Sequence, residues 1–210
     1  MSAIGYEHLR TTLGLSAFSV HPPALIKPVT RVERTPMWLG VPDSVAPQGD
    51  RLLDHVLFAL KHEGVNLQVL SEALPQLPAE DLLAEIQSTP NGGYIRMACF
   101  LWESFTGRML EGAPNIGGAA VNLFDPERYI TGPEQRNARW RVNFNGLGSI
   151  CYCPTVERTP LIKQSMHSDV LGRTNNFLKS LGKPILDRTL SWAYLHETQS
   201  SYAIEREAPS

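Results

Sequence analysis

The chain has 210 residues, 42% hydrophobic and 19% charged, enough to bury one large core or two small ones. Its 19 basic and 21 acidic residues give a formal net charge of −2, which excludes a bulk basic field drawing it to nucleic acid or an anionic membrane. No apolar run approaches the ~18 residues of a membrane span, and the first residues lack the basic start and apolar stretch of a secretory signal. The three cysteines, Cys99, Cys151 and Cys153, are an odd count that argues against a disulfide framework. A cytoplasmic protein without a membrane partner is therefore expected.

In chain order, Ile4 to Leu13 has helical spacing and should stop near Gly14. The proline-rich stretch from Ser19 to Pro47 should be extended and irregular, because proline fixes its own φ and moves the preceding residue out of the helical region. Asp50 is placed to cap a helix carrying Leu53, Val56, Leu57 and Leu60 on one stripe, with Gly64 as its stop. A short helix over Asn66 to Ala73 follows, closed by Pro75. Another starts near Pro78, with Glu80 and Asp81 in the first turn, where the helix dipole favours acid. Pro90-Asn91-Gly92-Gly93 breaks it, and Tyr94 to Thr106 forms the next helix. Residues 50–106 thus predict a compact helical subdomain.

Beyond a loop-rich stretch, Arg139 to Phe144 alternates polar and apolar residues, Asn145 to Gly148 supplies turn residues, and Ile150 to Cys153 resumes a strand-like pattern. One β-hairpin over 139–153 is predicted. Leu161 to Leu181 reads as one long helix and Ile185 to Arg206 as another; the short turn between them predicts antiparallel packing. The expected fold is mainly α, with a helical domain over 1–158 that contains the proline-rich segment and the hairpin, and a C-terminal antiparallel helix pair over 159–210.

No Walker loop, GxGxxG, GxSxG or HExxH occurs, so no catalytic residue is assigned. Cys151 and Cys153 would share a strand face and could hold a metal only with ligands from elsewhere; the simpler reading is two small buried side chains, and no metal site is assigned. None of the six histidines pairs at metal-ligand spacing; His55 and His62 share a helix face in surface or capping roles. Arg136, Arg139 and Arg141 around Trp140 could stack a base and touch phosphate, or form an outward strand face with Trp140 turned into the core. The helices at 66–73 and 78–87 could form a helix-turn-helix, but few cations lie on the second, so DNA is the weaker alternative partner.

The end of the chain is the most specific signal. Glu197-Thr198-Gln199-Ser200-Ser201-Tyr202-Ala203-Ile204-Glu205-Arg206 resembles the inhibitory helix of the Fic (Fido) family of protein adenylyltransferases. That motif is Ser or Thr, any three residues, Glu, then Gly or Asn. Ser201 and Glu205 match its first and fifth positions, and Ile204 matches the apolar residue before the Glu. Arg206 departs from the final position, and Tyr202 stands where a second Ser is common. Leu186-Asp187-Arg188, Trp192 to Thr198, Phe124-Asp125-Pro126 and Phe144 to Gly148 are similar to stretches in family members with a long N-terminal extension.

The family's catalytic His-Pro-Phe and Gly-Asn-Gly-Arg segments are not in the sequence; His21-Pro22-Pro23 lacks the continuation. The resemblance therefore implies a regulatory N-terminal region without a catalytic core, acting on a core in the same polypeptide or on a separate one. It implies that Glu205 takes the Arg that would otherwise hold the γ-phosphate of ATP, and that Ser201, one turn earlier, fixes the helix. ATP and Mg are implied for the core, with no cofactor in this chain. The expected partners are that core and a target protein. The alternative is a helical DNA-binding or protein-interaction module.

Overall fold

The computed structural model describes residues 3–205, and of residues 202–205 only the backbone. The chain divides into two units, Met1–Glu157 and Arg158–Ser210.

In the first unit, β1 (Ala3–Ile4) leads directly into α1 (Gly5–Thr12). The proline-rich stretch is more ordered than expected. It contributes β2 (Ala24–Ile26), β3 (Glu33–Arg34) and β4 (Leu39–Val41), which join β1 in a sheet of order β1-β2-β4-β3. β2 and β4 run parallel with Ala24 opposite Leu39, and the outer pairs are antiparallel. The strands are only two or three residues long, so they fit between the prolines and leave too little sequence for an alternating pattern to show.

The helical subdomain follows: α2 (Leu52–His62), α3 (Leu67–Ala73), α4 (Ala79–Ser88) and α5 (Gly93–Thr106). α2 starts one residue later than a cap at Asp50 would place it, with Arg51 at the N-cap position and no side-chain cap. Asn66 caps α3 by accepting from the Val69 amide at 3.2 Å, and Gly107 ends α5 in the left-handed conformation that glycine adopts at least cost. Leu53, Val56, Leu70, Leu82, Ile86 and Leu101 are fully buried. Each contributes about 2 kcal/mol relative to exposure. The core continues through Trp102 into Leu123, Trp140 and Val142, so helices and the later strands close on one interior.

The expected hairpin is displaced. β7 (Val142–Phe144) pairs antiparallel with β6 (Gln135–Asn137) and parallel with β5 (Val121–Asn122), in the order β5-β7-β6. The hairpin is thus 135–144 rather than 139–153. Ile150 to Cys153 is no strand; Ser149 and Tyr152 close a tight turn on each other instead. The Arg139 to Arg141 segment is the turn between β6 and β7, and Arg141 has φ of 49°, which breaks the alternation the sequence suggested. The predominantly helical class holds, with more sheet than expected.

In the second unit, the expected long helix is two: α6 (Pro160–His167) and α7 (Val170–Ser180). Thr159 caps α6 through the Ile162 amide. Asp169, at φ 42°, breaks the path and caps α7 through the Gly172 amide. α8 (Lys183–Glu205) is one continuous helix. The expected packing as an antiparallel pair is not seen, since no residue from 158 to 201 is buried. The reason is legible in α8: Ile185, Leu186, Leu190, Trp192, Tyr194 and Leu195 point all round the helix at 100° per residue, not along one stripe. Among the described residues no helix is long and apolar enough to cross a membrane.

Candidate functional site

The first turn of α1 has no side-chain cap of its own, because Ile4 stands at its N-cap. α2 supplies the caps from across the fold. The Gly5 amide donates to His55 Nδ1 at 3.1 Å, and the Tyr6 amide donates to Glu63 Oε1 at 2.9 Å. Accepting that bond fixes His55 Nδ1 as unprotonated. His55 is buried, its ring stacked on His8 at 3.8 Å between centroids. Burial, and then His8, hold its pKa below the usual histidine value.

Glu63 is only 8% exposed. Its Oε1 serves Tyr6, but its Oε2 is buried with no hydrogen-bond partner among the described residues. Burial raises its pKa to about 7, outweighing the opposing pull of the Tyr6 amide and of Arg34. Two glycines make room for this carboxylate and for the ring beside it. Gly5 has φ of 62°, and a Cβ there would collide with Oε1. Gly64 has φ of 99°, and a Cβ there would collide with the Tyr129 hydroxyl.

Around Glu63 opens a cavity of about 430 Å³. Tyr6 closes one side, its hydroxyl donating to the Gly64 carbonyl at 2.6 Å and accepting from the Asn66 amide at 3.3 Å. Tyr129 forms another side, with its phenol held near the Val65 amide and pushed above the usual tyrosine value by burial. Val20, Pro22 and Leu67 add apolar surface. Two guanidiniums border the cavity, and they differ. Arg128 is committed to Glu157 at 2.7 Å and lies over the Tyr129 ring. Arg34 reaches only backbone carbonyls, those of His62 at 3.3 Å and Glu63 at 3.5 Å, with no carboxylate partner among the described residues. The cavity thus holds a buried carboxyl with a spare oxygen and an exposed cation with spare donors.

Of the residues the sequence singles out, His55 caps a neighbouring helix, and His21 and Cys153 lie in the cavity wall. The others lie elsewhere. Trp140 is fully buried, and Arg139 and Arg141 are occupied. Arg141 donates to the carbonyls of Ile116 and Gly118 at 2.8 Å each, tying down that loop. Arg139 joins a clasp centred on Glu103, which also accepts from Trp140 Nε1 at 2.7 Å and from the Leu110 amide at 2.8 Å. Only Arg136 of that trio stays exposed without an assigned role. Cys151 is exposed and Cys153 half-buried, so the buried reading fails for Cys151. Among the described residues no three of His, Cys, Asp and Glu gather as metal ligands. α4, the second helix of the supposed helix-turn-helix, carries Glu80, Asp81 and Glu85 and no Lys or Arg, so it offers phosphate no cation.

Of the inhibitory-motif residues, Ser201 is exposed on α8. The side chains of Ile204 and Glu205, and all of Arg206, lie outside the described residues. Phe124 and Asn145, from two stretches similar to Fic proteins, meet in a buried reciprocal pair. The Phe124 amide donates to Asn145 Oδ1 at 2.9 Å, and Asn145 Nδ2 donates back to the Phe124 carbonyl at 2.8 Å. No family model, no curated protein and no solved structure matches this chain.

Proposed function

We propose that the chain is a regulatory region of a Fic-type protein adenylyltransferase and that Glu205 is its brake. One observation carries the reading: Ser201 and Glu205 fall four residues apart on α8, which runs unbroken from Lys183 to Glu205, so the motif has the one-turn spacing the mechanism needs. The exposed Trp192, Tyr194 and Leu195 on the same helix support it, because large apolar side chains left in water favour docking against another surface. The core would bind ATP and Mg and transfer AMP to a protein hydroxyl. A carboxylate and a phosphate oxygen are alternative acceptors for one guanidinium fork, so Glu205 on the core's Arg would exclude the productive γ-phosphate position.

The test is AMP transfer from labelled ATP by a Fic core, joined to this chain or mixed with it. Transfer should be weak with the native sequence and rise at least tenfold with Glu205→Gly. Equal transfer in the two would remove the inhibitory role.

A further inference from the structure

The cavity beside Glu63 has features that the adenylyltransferase reading does not use, and it lies wholly in the first unit. Its lining holds two complementary groups. One is the Glu63 carboxyl, buried, with Oε2 unpartnered among the described residues. A buried acceptor without a donor is costly, and a ligand donor would relieve that cost. The other is Arg34, whose Nη2 donates to the carbonyls of His62 and Glu63. Its remaining donors suit a carboxylate, which a guanidinium fork grips in two parallel bonds. Arg128 is satisfied by Glu157 and does not compete. Val20, Pro22, Leu67 and the Tyr129 ring offer apolar surface in the same cavity of about 430 Å³, the scale of a small-molecule site.

We propose that this cavity binds a free α-amino acid or a close zwitterionic analogue, its ammonium paired with Glu63, its carboxylate with Arg34, and its side chain against Tyr129. An isolated anion would place charge beside Glu63 with no donor for Oε2. An isolated amine would leave Arg34 unused. A ligand with both groups satisfies both.

Binding of this kind is linked to pH. Glu63 titrates at about 7, and only its ionised form pairs with an ammonium. At pH 6 about a tenth of the protein is competent and at pH 8 nearly all, so the apparent affinity should rise about tenfold between them. The charged and titratable groups around Glu63 are Glu7 on α1, Arg34 on β3 and Arg128 in the loop after β5, with Tyr6, Tyr129, His21 and Glu157 further along the wall.

The experiment is calorimetry on the full chain with each of the twenty free L-amino acids at pH 6 and pH 8. For any that binds, its N-acetyl and C-amide derivatives follow. At least one amino acid should bind with Kd of 1 mM or tighter at pH 8 and about tenfold more weakly at pH 6. Both derivatives should lose at least tenfold, since each deletes one of the paired groups. Glu63→Gln should lose at least tenfold and abolish the pH dependence. Arg34→Met should weaken binding at least fivefold at pH 8 and move the pH dependence upward without abolishing it, because the Arg34 charge is one of those holding the Glu63 pKa down. No binding by any amino acid at 10 mM would overturn the proposal, as would affinity indifferent to pH or to Arg34→Met. Binding of the C-amide as tight as the parent would overturn the Arg34 half.

Discussion

Glu63→Gln tests the energetics of the cavity directly. In the native protein the Glu63 carboxyl titrates at about 7 against an ordinary 4.5, and burial is the main cause. The folded state therefore holds a proton on this group at pH values where the unfolded chain has released it. Its contribution to stability is fully present below about pH 4.5 and is lost as the pH rises through 7. At ~1.4 kcal/mol per pH unit the interval comes to about 3 kcal/mol. Glutamine keeps an acceptor for the Tyr6 amide and carries no charge, but its NH2 replaces an already unpartnered Oε2 and costs roughly 1–2 kcal/mol unless it finds a partner. The variant should thus be less stable than the native protein at pH 5 by about 1 kcal/mol, and more stable at pH 8 by a similar amount. Urea unfolding at pH 5, 6, 7 and 8 measures this. His55 works in the opposite direction: its lowered pKa gives stability present above about 6.5 and lost as the pH falls. That loss is common to both proteins, so the difference between their curves isolates Glu63. Parallel curves from pH 5 to pH 8 would refute the account of Glu63 as a buried, proton-holding carboxyl.

Gly5→Ala should cost about 2–4 kcal/mol, because a Cβ at φ 62° is strained and meets the Glu63 carboxylate. In a Glu63→Ala background only the strain of about 1 kcal/mol should remain, and a double-mutant cycle by thermal unfolding would show the difference. Glu103→Ala should cost about 3 kcal/mol, since it strips the acceptor from the Trp140 indole N–H and the Leu110 amide together; Glu103→Gln should cost about half that.

The helices were legible where side chains repeat along one stripe. α2 and α5 carry enough apolar residues at helical spacing to fix both their existence and their buried faces. The strands were not, because pairing in this fold joins segments of two or three residues: β2 with β4 across fifteen positions, β5 with β7 across twenty-one. Periodicity needs four or more residues to declare itself. The hairpin lies at 135–144 rather than 139–153 for a related reason. Arg139-Trp140-Arg141 alternates as a strand would, yet it is a turn in which Trp140 reaches the core and the flanking arginines reach loop carbonyls and Glu103.

The cavity lay beyond sequence reasoning because none of its defining bonds is local. Glu63 meets Tyr6 across 57 positions, and His55 meets Gly5 across 50. A faint signal was present. Ile4 offers no cap to a helix that starts at Gly5, and a helix without its own cap must find one elsewhere. Glu63 at the C-cap of α2 is also out of place by local electrostatics, since an acid at a helix C-terminus faces the unfavourable end of the dipole. Each anomaly alone reads as noise, but together they complement each other, an acid at the wrong end of one helix serving the bare N-terminus of another. Oε1 does that work with the Tyr6 amide, while the second oxygen, which capping does not require, stays without a partner. That spare oxygen is what separates a purely structural cap from a site able to receive a ligand donor.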